Sequence, residues 1–347
     1  MKAVVLAGGE GTRLRPLTYA TPKPLLPIAN RPFLEHQLTW LAGHGVTDVV
    51  LSIGYRPDVF TGHFGESGLA GLRLTYAVES EPLGTAGAIR FAAETGGFTD
   101  LSGDTPDAAT TRDTPAPGRF LVCNGDVLTD LDVTALLRFH DESGAEATIS
   151  LTQVEDPSAF GVVPTDPDGR VLGFVEKPPP GEAPTDWINA GTYVLETSVL
   201  GLIPPGRAVS IERETFPALL ERDAKLYAHA SPGYWLDIGT PAKYLQANID
   251  LLAGGESMCP PDAIVAAGAI VQSSVLGPRV EIGEGARVVR SVLLEGVRVA
   301  AGAVVVDSVV GAEAVVGPGS VVEDVSVIGP GAQVPAGARL AGARLAA

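Results

Sequence analysis

From the N-terminus to about residue 252 the chain alternates short unbroken apolar runs with stretches whose apolar residues recur every third or fourth position. The runs AVVLA (3–7), DVVLSIG (48–54), LRLTYAVE (72–79), RFLVCNGD (119–126) and ATISLTQV (147–154) read as strands. The stretches 33–43 and 85–95 read as helices between them. That alternation predicts an α/β sheet with crossover helices. Several runs empty into glycines, and in such sheets ligands bind at strand ends. The stretch 96–118, GGFTDLSGDTPDAATTRDTPAPG, is rich in Gly, Pro, Thr and Asp and reads as a mobile surface insertion.

Beyond Asp262 the texture changes. Aromatic residues vanish, and apolar residues recur at every sixth position: Ile264, Ile270, Leu276, Ile282, Val288, Leu294, Ala300 and Val306. After a four-residue step the series resumes at Val310 and runs through Val316, Val322, Ile328, Val334 and Leu340. A six-residue repeat with Gly often following the apolar position predicts a parallel β-helix, with one aliphatic side chain at each inner corner and no room for aromatics. Two domains are therefore expected, 1–255 and 260–347.

Composition narrows the class. A hydrophobic content of 45% and a mean hydropathy of +0.22 support a real core. The apolar run 3–7 is too short for a signal peptide and no stretch approaches a membrane span, which places the chain in the cytoplasm. Cys123 and Cys259 have no Cys or His partner at metal-ligand spacing and read as core or incidental thiols. A formal charge of −17 argues against nucleic acid and anionic membrane as partners. Residues 1–56 run the other way, with Lys2, Arg13, Arg15, Lys23, Arg31 and Arg56 against Glu10, Glu35 and Asp48. An anionic ligand suits that segment.

The first strand opens into GGEGTRLRPLT at 8–18. Glycines let a backbone approach an anion closely and donate N–H groups to it, and Arg13 adds a planar fork suited to phosphate. In TPKPLLPI, Lys23 stands between two prolines that stiffen its backbone. The strand at 119–124 ends in Asn124, Gly125 and Asp126, where a carboxylate can hold Mg²⁺ against a triphosphate. Further on, GYWLDIGTP offers Asp237, FVEKP offers Glu176 and Lys177, and AFGVV and INAGTYV offer Gly161, Asn189 and Gly191. Glu176 can accept sugar hydroxyl protons and Lys177 can pair with a phosphate.

The 8–18 segment resembles, without a departure, the G-G-x-G-T-R-L-x-P-L-T signature of the sugar-1-phosphate nucleotidyltransferases, and the later motifs follow in that family's order. With the β-helix, nearly the whole chain is similar to the mannose-1-phosphate guanylyltransferases (GDP-mannose pyrophosphorylases), and also to glucose-1-phosphate nucleotidyltransferases that carry a β-helix. The resemblance implies a Rossmann-like mixed-sheet nucleotidyltransferase domain followed by a left-handed parallel β-helix. It implies nucleotide binding by Leu6, Ala7, Gly8, Gly9, Gly11, Thr12, Arg13, Lys23, Glu79, Pro82, Gly84, Thr85 and Asp126. Lys23 would contact the triphosphate and departing pyrophosphate. Gly161, Glu176, Lys177, Asn189 and Gly191 would bind the sugar phosphate, and Asp126 and Asp237 would share Mg²⁺. Arg13, Lys23, Asp126 and Asp237 would carry catalysis.

The stretch ESEPLGTAGAI (79–89) resembles the guanylyltransferase form rather than the G-L-A-Q form of thymidylyltransferases. Guanine presents adjacent N1–H and N2–H₂ donors that one carboxylate can accept, and Glu79 or Glu81 could be that acceptor. The expected reaction joins GTP to mannose-1-phosphate, with a glucose-1-phosphate thymidylyl-, uridylyl- or adenylyltransferase, or a cyclitol phosphate guanylyltransferase, as alternatives. A hexapeptide acyltransferase would need a histidine base, yet all five histidines (His36, His44, His63, His140, His229) precede the repeats. A regulatory homologue that binds nucleotide sugar without turnover would be expected to lack a phosphate or metal residue, and none is missing. The β-helix is expected to assemble a homo-oligomer through its flat sides.

Overall fold

The computed structural model describes residues 1–54, 56–65, 69, 71–98 and 118–347. The insertion read at 96–118 lies outside these residues except at its ends. Internal packing divides the chain into two compact units, Met1–Gly9 with Gln37–Trp235 and Glu10–His36 with Leu236–Ala347.

In the first unit the sheet has nine strands among the described residues. They are β1 Lys2–Leu6, β2 Asp48–Ile53, β3 Arg73–Val78, β4 Arg119–Asn124, β5 Ala147–Gln153, β6 Gly161–Val162, β7 Val175–Glu176, β8 Trp187–Glu196 and β9 Leu226–Ala230. The order is β7-β6-β8-β4-β1-β2-β3, with β5 paired to β8 and β9. β1 lies parallel to both β2 and β4, whereas β8 runs antiparallel to β4 and β5, so the sheet is mixed. Adjacent residues Val4 and Val5, Val50 and Leu51, and Leu121 and Val122 are all buried. Both faces are therefore covered, which is why these strands read as continuous apolar runs instead of alternating ones. All five strands read from the sequence are present.

The helices of this unit are α1 Phe33–Gly43, which enters it at Gln37, α2 Pro57–Phe64, α3 Gly84–Thr95, α4 Val133–Ser143 and α5 Phe216–Glu221. α4 starts where the Asp132 carboxylate accepts the Ala135 N–H at 3.0 Å and stops at Gly144 in the left-handed region. Cys123 on β4 is fully buried, and burial pushes its thiol up to about 12, so it packs as an apolar group with no nucleophilic role. No helix among the described residues is long and apolar enough to cross a membrane.

The second unit holds three five-stranded parallel sheets, the architecture of a left-handed β-helix. One contains Ile264–Val265, Glu281–Ile282, Arg298–Val299, Val315–Val316 and Gln333–Val334. Ile264 pairs with Glu281, Glu281 with Arg298 and Arg298 with Val315, a coil of seventeen residues, and only the step from Val315 to Gln333 takes eighteen. The strict six-residue series therefore needs correcting at five positions. In the first coil Val265 and Val271 stand in register with the core residues Ile282 and Val288; at this open end of the stack Val265 is exposed along with Ile264 and Ile270. Further along, Leu293, Val299 and Val305 fill the core where the series named Leu294, Ala300 and Val306.

A buried hydroxyl marks each short corner. Ser274, Ser291 and Ser308 are fully buried, and each follows a residue with φ near +45°, namely Ser273, Arg290 and Asp307. The Ser291 Oγ donates to the Val289 carbonyl at 2.8 Å and accepts the Ser308 N–H at 3.2 Å. Ser274 likewise donates to the Gln272 carbonyl and accepts the Ser291 N–H. The hydroxyl ties each corner to the next coil, and Ser326 does the same in the longer coil, donating to the Glu323 carbonyl and accepting the Ala343 N–H. In the longer coil two residues, Asp324 and Val325, take positive φ before Ser326. Ser291→Ala is expected to strand the buried Ser308 N–H and lower the unfolding free energy by about 1–3 kcal/mol, read as the denaturant midpoint of the full chain.

Candidate active site

In the first unit, β1 is the point where chain order reverses, because its neighbours are β2 on one side and β4 on the other. Its C-terminal loop and that of β4 meet. The Gly125 N–H donates to the Leu6 carbonyl at 2.9 Å, and a Cβ on Gly125 would lie 2.5 Å from that oxygen. Only glycine permits this approach. The Ala7 N–H donates to Ser52 at 2.8 Å, and Gly8 packs against the Gly54 backbone. Leu6, Ala7, Gly8 and Gly9 thus leave the sheet beside Asn124, Gly125 and the half-buried Asp126.

Glu79 follows β3. Its Oε1 accepts the Ser52 hydroxyl at 2.7 Å and its Oε2 accepts the Leu83 N–H at 3.0 Å. Of the two carboxylates considered for the base, Glu79 is thus already tied to the loop that starts α3, and Glu81 and Pro82 are exposed. Gly84 has φ +66°, and a Cβ there would lie 2.6 Å from the Val209 carbonyl oxygen. The Thr85 hydroxyl donates to Glu212 Oε2 at 3.0 Å and accepts the Ile211 N–H at 2.8 Å. The 82–85 loop is therefore stitched to 209–212.

That second segment lines a cavity of about 530 Å³ together with Gly161, Glu176 and Asn189. The structure brings these three expected sugar residues together. Lys177 stands beside them, its Nζ 3.9 Å from Glu176 Oε1. Gly191 instead supports Asn189, donating its N–H to Oδ1 at 2.9 Å. The Asn189 Nδ2 donates to the Tyr193 hydroxyl at 2.8 Å, and that hydroxyl reaches Glu212 Oε1 at 3.4 Å. Burial, with Glu212 nearby, holds the Tyr193 hydroxyl well above its ordinary range, so it stays a proton donor. Phe160 of the AFGVV motif also lines the cavity, as do Phe174, Ser210, Glu212 and Arg213, and sequence reasoning missed these last four. Glu212 accepts hydroxyls from Thr85, Ser210 and Tyr193, and only chain folding unites those donors.

In the second unit, Gly11, Thr12, Arg13 and Lys23 lie on tight turns, with Thr12–Leu14 and Lys23–Leu25 each one turn of 3₁₀ helix. A Cβ on Gly239 would lie 2.7 Å from an Arg13 guanidinium nitrogen and 3.0 Å from Asp237 Oδ1, so both side chains converge there. Asp237 Oδ1 is buried with no hydrogen-bond partner among the described residues, while its Oδ2 lies 3.5 Å from Lys243 Nζ. A buried carboxylate oxygen left without a donor fits a hard divalent cation, which takes oxygen ligands. No group of three or more His, Cys, Asp or Glu residues capable of holding a metal occurs among the described residues.

The first unit has a glycine loop at the reversal point of its sheet and a polar cavity, and the second has an unsatisfied carboxylate oxygen; the sheet is of the α/β class that binds ligands at strand ends. The nucleotidyl transferase family profile matches residues 2–254, and the chain belongs to that family. Residues 253–346 match the GMPPB C-terminal domain. The chain is 43% identical to the mannose-1-phosphate guanylyltransferase of Mycobacterium tuberculosis over 306 residues, 84% of this chain and 79% of that protein. It is 38% identical to the mannose-1-phosphate guanyltransferase of Candida albicans over 355 residues, covering 96% and 92% of the two. Among solved structures, HddC from Yersinia pseudotuberculosis complexed with GMP-PN matches with a TM-score of 0.58 and 29% identity, over 72% of this chain and 99% of that one. The chain is a sugar-1-phosphate nucleotidyltransferase.

Removing the carboxylate that gathers three hydroxyls is expected to loosen the cavity wall. Glu212→Ala should raise the KM for the sugar phosphate more than about tenfold, since stranded polar groups cost 1–3 kcal/mol each. Steady-state kinetics with the sugar phosphate varied would check this.

Proposed function

We propose that the chain transfers a guanylyl group from GTP to mannose-1-phosphate, giving GDP-mannose and pyrophosphate, in a Mg²⁺-dependent reaction. The observation that carries this reading is the 43% identity to a mannose-1-phosphate guanylyltransferase across 84% of the chain. The sugar-1-phosphate oxygen attacks the α-phosphorus of GTP in line, and the bond to pyrophosphate breaks. A phosphate monoester is already an adequate nucleophile near neutral pH. The protein's work is therefore to align two anions that repel each other and to offset their charge.

Arg13 and Lys23 would hold the triphosphate and steady the departing pyrophosphate, and Lys177 would pair with the incoming phosphate. Asp126 and Asp237 would hold Mg²⁺, which when bound withdraws charge from the triphosphate. Glu176 and Asn189 would receive the sugar hydroxyls. Gly8, Gly9, Gly11 and Thr12 would offer backbone to the phosphates, and Leu6, Ala7, Pro82, Gly84 and Thr85 would frame the nucleoside. The exposed Glu81 would accept the guanine N1–H and N2–H₂, with Glu79 bracing the loop through Ser52 and the Leu83 N–H. In this reading 1–255 is the catalytic domain, and 260–347 is a β-helix that joins copies of the chain into a homo-oligomer.

The test is a matrix of GTP, ATP, UTP and dTTP against mannose-1-phosphate, glucose-1-phosphate and a cyclitol phosphate, scored by pyrophosphate release with and without Mg²⁺. GTP with mannose-1-phosphate should lead. Asp126→Ala should cut turnover by about a thousandfold or more with the fold intact by circular dichroism. A preference for dTTP or UTP, or an active Asp126→Ala, would overturn the reading. Glu81→Gln should narrow the preference for GTP over ATP by about tenfold, a loss of one charge-assisted pairing.

A further inference from the structure

Within the second unit, the last strand of the β-helix reaches the segment that carries the signature. Arg344, on the strand Arg344–Leu345, donates from a single Nη1 to the Arg13 carbonyl at 2.8 Å and to the Arg15 carbonyl at 2.7 Å. The residues it joins are more than three hundred positions apart in sequence. A second contact lies beside it, for a Cβ on Gly329 would sit 3.1 Å from both Cβ and Cγ of Pro16. Leu14, between the two clamped carbonyls, is fully buried. Arg13, Arg15 and Arg344 line one cavity of about 450 Å³ with Thr12, Tyr19 and Thr240.

We infer that Arg344 is a positioning residue for the Arg13 turn, so that the final coil of the β-helix takes part in nucleoside triphosphate binding; this rests on the reading of Arg13 given above. The physical case is direct. Arg13 stands on a single 3₁₀ turn, too short to order itself by its own hydrogen bonds. Its carbonyl and that of Arg15 both point at one guanidinium, and a charged donor makes a stronger bond than a neutral one. Fixing both carbonyls fixes the direction in which the Arg13 side chain leaves the backbone. Without the clamp the turn samples more conformations, and the triphosphate must order it on binding.

The experiment uses the full chain with Arg344→Ala and Arg344→Lys. Arg344→Ala should raise the KM for the nucleoside triphosphate roughly fivefold, leave the KM for the sugar phosphate unchanged and keep the thermal midpoint within about 2 °C. Amide hydrogen exchange at residues 12–17 should accelerate by a similar factor. Arg344→Lys should recover part of both effects, because an ammonium can still donate to two carbonyls. Unchanged kinetics with unchanged exchange would overturn the inference. So would both KM values rising together with a lowered thermal midpoint, the mark of a simple structural staple. An inactive wild-type chain would refute the proposed function, and exchange at residues 12–17 would then decide the positioning role by itself.

Discussion

The N–H of Gly125 and the carbonyl of Leu6 meet because Gly125 carries no side chain that would keep them apart. That approach sets the geometry of the two loops at the reversal point of the sheet. It fixes where the glycine loop leaves β1 and where Asp126 emerges after β4. A sheet built only for stability would gain nothing from glycine at such a point, since glycine loses the most conformational freedom on folding. The cost is offset by the surrounding core, where Val4, Val5, Val122 and Cys123 are fully buried.

Charge follows the same logic on a larger scale. A chain of net charge −17 repels its own substrates at a distance, so capture depends on local fields screened over about 8–10 Å. Arginine side chains gathered at Arg13, Arg15 and Arg344 supply such a field in the second unit. One of them is partly offset, since Arg15 pairs with Glu10 at 2.9 Å.

The sheet was legible in the sequence because strands buried on both faces leave unbroken apolar runs, and the glycine loop because its neighbours are so unlike an ordinary turn. The β-helix was legible as a repeat, but its coil length was not. A strict count of six cannot register a coil of seventeen residues, so the series drifted by one residue at Leu294, Ala300 and Val306. The two candidate base acceptors look alike as letters, and only the fold shows that Glu79 holds Ser52 and the Leu83 N–H while Glu81 is exposed. Glu212 was illegible for a related reason, its donors lying at Thr85, Tyr193 and Ser210. The roles of the catalytic residues rest on motif and kinship, and the geometry adds the unsatisfied oxygen of Asp237.

The segment between Arg13 and Asn30 is pinned at both ends of the β-helix. Asn30 donates to the Leu276 carbonyl in the first strand of one sheet, and Arg344 in the fifth strand of that sheet holds Arg13. Four strand spacings separate those anchors, about 19 Å along the stack. The β-helix therefore acts as a ruler. Single residues can be gained or lost at its corners, as the eighteen-residue coil shows, because such a change is absorbed within one turn. A whole coil cannot, since it would carry Arg344 nearly 5 Å past its carbonyls. The number of coils in this chain, unlike their length, is set by the loop they measure out.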